Sequence, residues 1–161
     1  MNHPAVLGPT AAVLALPFGP LGIECTAHHI SALRFLSPGH AEMAPTSALA
    51  ERAAHAVERW LADPHQPHGL PLAAQGTPYQ NRVWAEIAAI PHGETRTYGT
   101  LAHRLASGPR AIGAACGANP FPLLVPCHRV VAQNGLGGFA GDADGHLIRV
   151  KQWLLRNEGV L

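Results

Sequence analysis

Of the three cysteines in this chain, Cys127 is the one placed for chemistry, because Pro126 precedes it and His128 and Arg129 follow it directly. A thiol attacks as its thiolate, and an adjacent imidazole or cation draws its pKa down. Pro120, Pro122 and Pro126 stiffen the approach, and Leu123-Leu124-Val125 between them reads as a short buried strand that ends in a rigid turn. The competing reading is a small buried hydrophobe, the usual fate of a free cysteine. The dipeptide alone does not separate the two. Cys25, Cys116 and Cys127 cannot all pair, and their surroundings do not match a secreted disulfide framework, so a reducing compartment is expected. Cys25 with His28 and His29 offers zinc-ligand types but no evident fourth ligand. Pro64-His65-Gln66-Pro67-His68 reads more simply as a solvated loop. No metal and no cofactor is expected.

The elements that must hold Cys127 lie in the second half of the chain. Thr77-Pro78 supplies an N-cap and a proline at the first helical position, and Val83, Trp84, Ile87 and Ile90 follow at helical spacing up to Pro91-His92-Gly93. Tyr98 to Leu105 forms a short helix broken by Ser107-Gly108-Pro109, and a second runs from about Arg110 to Cys116. Two short helices around a glycine-containing turn outline a helix-turn-helix. The second carries almost no bulk: Ala111, Ile112, Gly113, Ala114, Ala115, Cys116, Gly117, Ala118. Such a helix is costly in propensity, and it suits either tight helix packing or close approach to a nucleic-acid groove. Arg110 is its one long side chain.

The first half reads as a small sheet with a helix. Ala11–Phe18, Gly22–Cys25 and Ala32–Leu36 are short apolar runs separated by breakers, and Thr46–Ala62 places Leu49, Ala53, Ala56, Val57, Trp60 and Leu61 on one face. Asp63 to Pro71 divides the chain, giving an expected sheet-and-helix domain over 1–75 and a helical domain over 76–161. Three Arg against five acids precede Gly76; seven Arg and one Lys against five acids follow, so −2 becomes +3. A mildly basic second half suits nucleic acid without requiring it. No run is long enough to span a membrane, and no basic leader opens the chain. The expectation is a cytoplasmic protein that makes no membrane contact.

Pro126-Cys127-His128-Arg129-Val130 resembles the active-site signature of the O6-alkylguanine-DNA alkyltransferases, the methylated-DNA–protein-cysteine methyltransferases. The resemblance covers the second half in family order. It runs from Gly76-Thr77-Pro78-Tyr79-Gln80 and Val83-Trp84 through Tyr98-Gly99-Thr100-Leu101-Ala102 and Arg110-Ala111-Ile112-Gly113. It continues through Asn119-Pro120 to Trp153-Leu154-Leu155 and Glu158-Gly159. In the first half only Pro20-Leu21-Gly22 is similar.

The resemblance implies an α/β (α+β) chain: a ribonuclease-H-like N-terminal sheet plus helix, then a winged-helix-like domain containing the helix-turn-helix. It implies a monomer that binds double-stranded DNA containing alkylated guanine. The alkyl group would pass irreversibly from guanine O6, and also from thymine O4, to Cys127. His128 then falls on the base that takes the thiol proton through a water, Glu158 on the carboxylate that orients it, and Tyr98 on the phenol that protonates the leaving base. Arg110 falls on the residue that replaces the flipped nucleotide. Thr97, Tyr98, Ala111, Gly113 and Ala114 fall on DNA-contacting positions, Asn119 on the hinge, and Cys116, Pro122, Val130, Phe139 and Ala140 on the base pocket. A base buried in the duplex must be extruded before its oxygen can be reached.

Two departures stand out. The loop Asp142-Ala143-Asp144-Gly145-His146 before the final helix is longer than is usual in the family, which bears on tolerance of bulky alkyl groups. The first-domain zinc ligands of some members are not reproduced. No upstream cysteine cluster of the regulatory fusion members is seen either, so a repair role alone is expected. The alternatives are a non-catalytic lesion-binding relative, which would lack the acceptor cysteine, a turnover cysteine hydrolase, and a plain helix-turn-helix regulator.

Overall fold

A computed structural model describes residues 8–139 and 145–161, and the chain divides into two compact units, 1–76 and 77–161. In the first unit β1 (Thr10–Leu16), β2 (Gly19–Cys25) and β3 (Ile30–Phe35) form an antiparallel meander in that order. Ala12 pairs with Ile23, and Leu21 with Phe35. The expected strand Ala11–Phe18 ends sooner. Pro17 cannot donate to a ladder, so Pro17-Phe18 makes the turn, and Gly19 resumes pairing at φ +124. Four consecutive buried residues in β1, Ala11 to Leu14, show that both faces of this strand are covered.

Helix α1 (Ala48–Ala62) packs Ala53, Ala56, Val57 and Trp60 inward, and Ser47 caps it by accepting from Ala50 N at 3.1 Å. The helix starts two residues later than Thr46 because Ser47 takes the extended cap conformation. Cys25 is buried near the Ser47 hydroxyl, whereas His28 and His29 lie in an exposed turn.

The second unit opens with α2 (Pro78–Ala88), whose Thr77 and Gln80 form a complete capping box. A two-residue strand β4 (Arg96–Thr97) leads into α3 (Tyr98–Arg104), followed by α4 (Pro109–Gly117). Helix α4 starts at Pro109, one residue ahead of the expected Arg110, with Gly108 in the extended cap conformation. Trp84 Nε1 donates to Ala115 O at 2.8 Å, and the Tyr79 hydroxyl meets Ser107 Oγ at 2.6 Å. These bonds tie α2 to the helix pair. Parallel pairing joins β4 to β5 (Val130–Val131), with Arg96 opposite Val130. Helix α5 (His146–Asn157) buries Ile148, Val150, Lys151, Leu154 and Leu155.

Leu123-Leu124-Val125 is not a strand. Prolines at 120, 122 and 126 remove the donors a ladder needs, and Leu123 takes φ +76. The segment is a tight turn closed by Val125 N donating to Phe121 O at 2.8 Å.

Candidate active site

Cys127 begins a single 3-10 turn, Cys127–Arg129, and is buried at 5% exposure. The turn closes because Cys127 N donates to Val125 O at 2.8 Å and Arg129 N to Pro126 O at 2.9 Å. Asn119 fixes the preceding segment from both sides. Its Oδ1 accepts from Phe121 N at 2.9 Å, and its Nδ2 donates to Val125 O at 2.8 Å and to Cys127 Sγ at 3.0 Å. The residue assigned to a hinge thus also places an N–H on the sulfur, where it favours negative charge.

The expectation that His128 and Arg129 lower the Cys127 pKa does not hold in this geometry. Both side chains turn away to Glu158. The thiol is pushed well above its ordinary range by its hydrogen bond with the Cys116 thiol and by burial, against the pull of Asn119 and Lys151. Cys127 Sγ also lies 3.8 Å from Cys116 O. A resting thiol of this kind must lose its proton during the reaction, so a base is required.

That base is available. His128 is completely buried, and its Nε2 bonds Glu158 Oε2. Glu158 caps the end of α5, and its Oε1 accepts from Arg129 Nε at 2.7 Å and from Gly93 N at 3.3 Å. Burial opposes ionisation of Glu158, but His128 and Arg129 outweigh it and hold the carboxyl at about 2. Burial likewise keeps the His128 pKa below its ordinary value despite Glu158, and Arg129 and Lys151 add to the lowering. An ionised carboxylate facing Nε2 makes that nitrogen the donor and leaves Nδ1 as the basic one.

Lys151 is a further residue of the site, beyond those the sequence pattern marks. Its signal is a lone lysine among Ile148, Leu154 and Leu155 on the apolar stripe of α5. It is fully buried, and its Nζ donates to Val130 O at 2.6 Å and Gly138 O at 3.0 Å. Burial draws it down to about 8 although both thiols pull it upward. The Tyr98 hydroxyl donates to the same Gly138 carbonyl at 3.3 Å. Burial, with Cys116 and Cys127 nearby, raises that phenol to about 12, so it keeps its proton at neutral pH. Gly137 passes so close that a β-carbon there would stand 2.9 Å from Tyr98 Cε2, at φ +74.

Of the expected base-pocket residues, Pro122, Val130 and Phe139 are buried and Cys116 is half-buried. Ala140 lies outside the described residues, as do Asp142, Ala143 and Asp144 of the long loop, while Gly145 caps α5 and His146 is its first residue. On α4, Arg110, Ala114 and Gly117 are exposed, Ala111 and Gly113 half-exposed, and Ile112 and Ala115 buried. The bare surface therefore follows one helical face, with Arg110 at its head. Thr97 is occupied in capping α3, accepting from Thr100 N at 3.0 Å. Among the described residues, no three His, Cys, Asp or Glu side chains gather as a metal site.

The family model for the DNA-binding domain of 6-O-methylguanine DNA methyltransferase matches residues 78–160, just over half of the chain. The chain belongs to the O6-methylguanine-DNA methyltransferase family. Its similarity to the methylated-DNA–protein-cysteine methyltransferase of Shigella flexneri is 46% identity over 95 residues, 57% of this chain and 53% of that protein. A DNA base-flipping protein of Thermus thermophilus is 39% identical over 92% of this chain and 99% of its own length. Among solved structures, the O6-methylguanine methyltransferase of Mycobacterium tuberculosis superposes with a TM-score of 0.75 at 30% identity, covering 93% of each chain. The chain spans about half the length of the first curated methyltransferase relatives that it matches. The small antiparallel sheet and five helices of the described residues match the mixed α/β fold of the methyltransferase structures. Among the described residues no helix is long and apolar enough to cross a membrane.

Proposed function

We propose that this chain reverses alkylation of guanine O6 in double-stranded DNA by taking the alkyl group onto Cys127, once per molecule. The observation that carries the proposal is a buried thiol with an amide N–H directed at its sulfur, followed in the same 3-10 turn by an imidazole that an ionised carboxylate holds. Cys127 gives its proton through a water to His128 Nδ1, and the thiolate sulfur attacks the alkyl carbon. The S–C bond forms as the C–O bond breaks, and the pair of electrons leaves on the guanine. Tyr98 donates its phenolic proton to the departing base, and its raised pKa suits a donor that must stay protonated until then. O4-alkyl thymine offers the same type of leaving group. A thioether has no hydrolytic way back, which gives one turnover.

The base must be extruded first, and the exposed small-residue face of α4 suits close approach to a minor groove, with Arg110 as the wedge. On this reading residues 76–161 form the winged-helix-like, helix-turn-helix half that carries DNA binding and chemistry, and 1–75 the ribonuclease-H-like sheet domain. Asn119 braces the hinge. Cys116, Pro122, Val130 and Phe139 line the base pocket, and Ala111, Gly113, Ala114 and Thr97 meet the DNA. Three free thiols suit a monomer working in a reducing cytosol. The test is a titration of methylated duplex against protein. Removal of one methyl per protein molecule supports transfer; many methyls per molecule means a turnover enzyme. A second reading, base flipping without transfer, draws on the similarity over 92% of this chain to the Thermus DNA base-flipping protein, although Cys127 is present here. It predicts tight binding with no methyl removed.

A further inference from the structure

We propose that Arg129 is a positioning residue of the transfer centre, which by holding Glu158 from its far side keeps His128 unprotonated and ready for the thiol proton. The inference rests on the alkyl-transfer reading above. Arg129 is the neighbour of His128 in the same 3-10 turn and is 5% exposed. Its side chain runs to Glu158 Oε1 at 2.7 Å and to Ile90 O at 2.8 Å, while His128 takes the other carboxylate oxygen. The carboxylate is therefore shared between one permanent cation and one titratable ring.

Charge counting shows what the cation does. With Arg129 present, Glu158 and Arg129 cancel, and a second proton on His128 would leave an uncompensated charge in a buried site. Lys151, reaching in from α5, adds to that penalty. With Arg129 neutralised, an imidazolium facing Glu158 becomes the balanced state, and the ring captures a proton at rest. An imidazolium has no lone pair for the thiol proton. Among the described residues the charged groups acting on His128 are Glu158, Arg129 and Lys151, and of these cations Arg129 is the one bonded to the carboxylate. Arg129 Nη2 is buried with no hydrogen-bond acceptor among the described residues.

The test compares Arg129→Gln, which keeps donors but no charge, with Arg129→Lys, which keeps charge. Single-turnover methyl transfer is followed between about pH 5.5 and 8.5, the range in which histidine titrates. His128 protonation is followed by NMR on the DNA-free protein. We expect R129Q to lose about tenfold in rate toward acid pH relative to wild type, the effect of a one-unit titration shift, with His128 protonating at higher pH. R129K should keep the wild-type pH profile even if slower throughout. Equal slowing of both variants at every pH, with His128 titrating as in wild type, would overturn the inference, as would an R129K profile displaced like that of R129Q. Should R129Q fail to fold, an R129K profile or His128 titration displaced from wild type still overturns the inference, and Arg129→Met takes the place of R129Q. If wild type transfers no methyl, the alkyl-transfer reading fails while the NMR titration continues to judge Arg129.

Discussion

Replacing Glu158 with glutamine probes the base most sharply, because the two carboxylate oxygens have different partners. One accepts from His128 Nε2, the other from Arg129 Nε and Gly93 N. An amide has a single acceptor oxygen, so its N–H2 must face one side. Facing Arg129, it would leave a buried guanidinium unpaired, at about 3–5 kcal/mol. Facing His128, it costs about 1–3 kcal/mol in an unmade neutral bond unless the ring changes tautomer. The cheaper outcome is that change: Nε2 becomes the acceptor, Nδ1 carries the proton, and the base is lost. Transfer should fall by about 10²–10⁴, the usual worth of general-base catalysis, and stability by about 3 kcal/mol as Arg129 loses its counter-charge. Glu158 is only 7% exposed, so DNA affinity should barely change. A rapid-quench transfer assay beside a binding titration and a urea melt measures all three. Parallel loss of binding and transfer, or undiminished transfer in a folded E158Q protein, would refute the reasoning.

Three further outcomes are expected. Gly137→Ala should slow transfer with modest loss of stability, because its β-carbon would press on the Tyr98 ring from 2.9 Å; a Tyr98 fluorescence or NMR shift would report the displacement. Arg110→Ala should slow repair in duplex DNA, where unstacking costs a few kcal/mol, far more than reaction with the free modified base; an unchanged ratio of the two rates removes Arg110 from flipping. Acid should destabilise the fold in two stages. Below about pH 6.5 the unfolded chain protonates a histidine that His128 resists in the folded state. From about 4.5 down toward 2, Glu158 loses the roughly 3 kcal/mol implied by its depressed pKa. Urea midpoints across pH 7 to 3 should fall accordingly, and E158Q should flatten the lower stage.

Much of the second unit was legible because its punctuation is local. Thr77-Pro78 encodes a helix start in cap chemistry, and α2 begins where those residues stand. Leu123-Leu124-Val125 was misread because apolarity alone does not distinguish a strand from a buried turn, and the three flanking prolines carried the deciding information. The electrostatics of Cys127 were misread for a different reason. Adjacency in sequence sets His128 and Arg129 next to the thiol, but in the fold both side chains run to Glu158, about thirty residues away. Lys151 is hidden because a lone lysine in an amphipathic helix normally reads as solvated. Only the folded position of the Val130 and Gly138 carbonyls reveals its partners.

The central claim is that one alkyl group ends on one named sulfur. Incubating the protein with excess duplex carrying O6-methylguanine, then measuring intact mass and mapping the peptide, tests it directly. The expected result is a gain of a single methyl per molecule, located on Cys127, and no gain in Cys127→Ser. Methyl on Cys116 or Cys25, or demethylated DNA in excess over an unmodified protein, would contradict it.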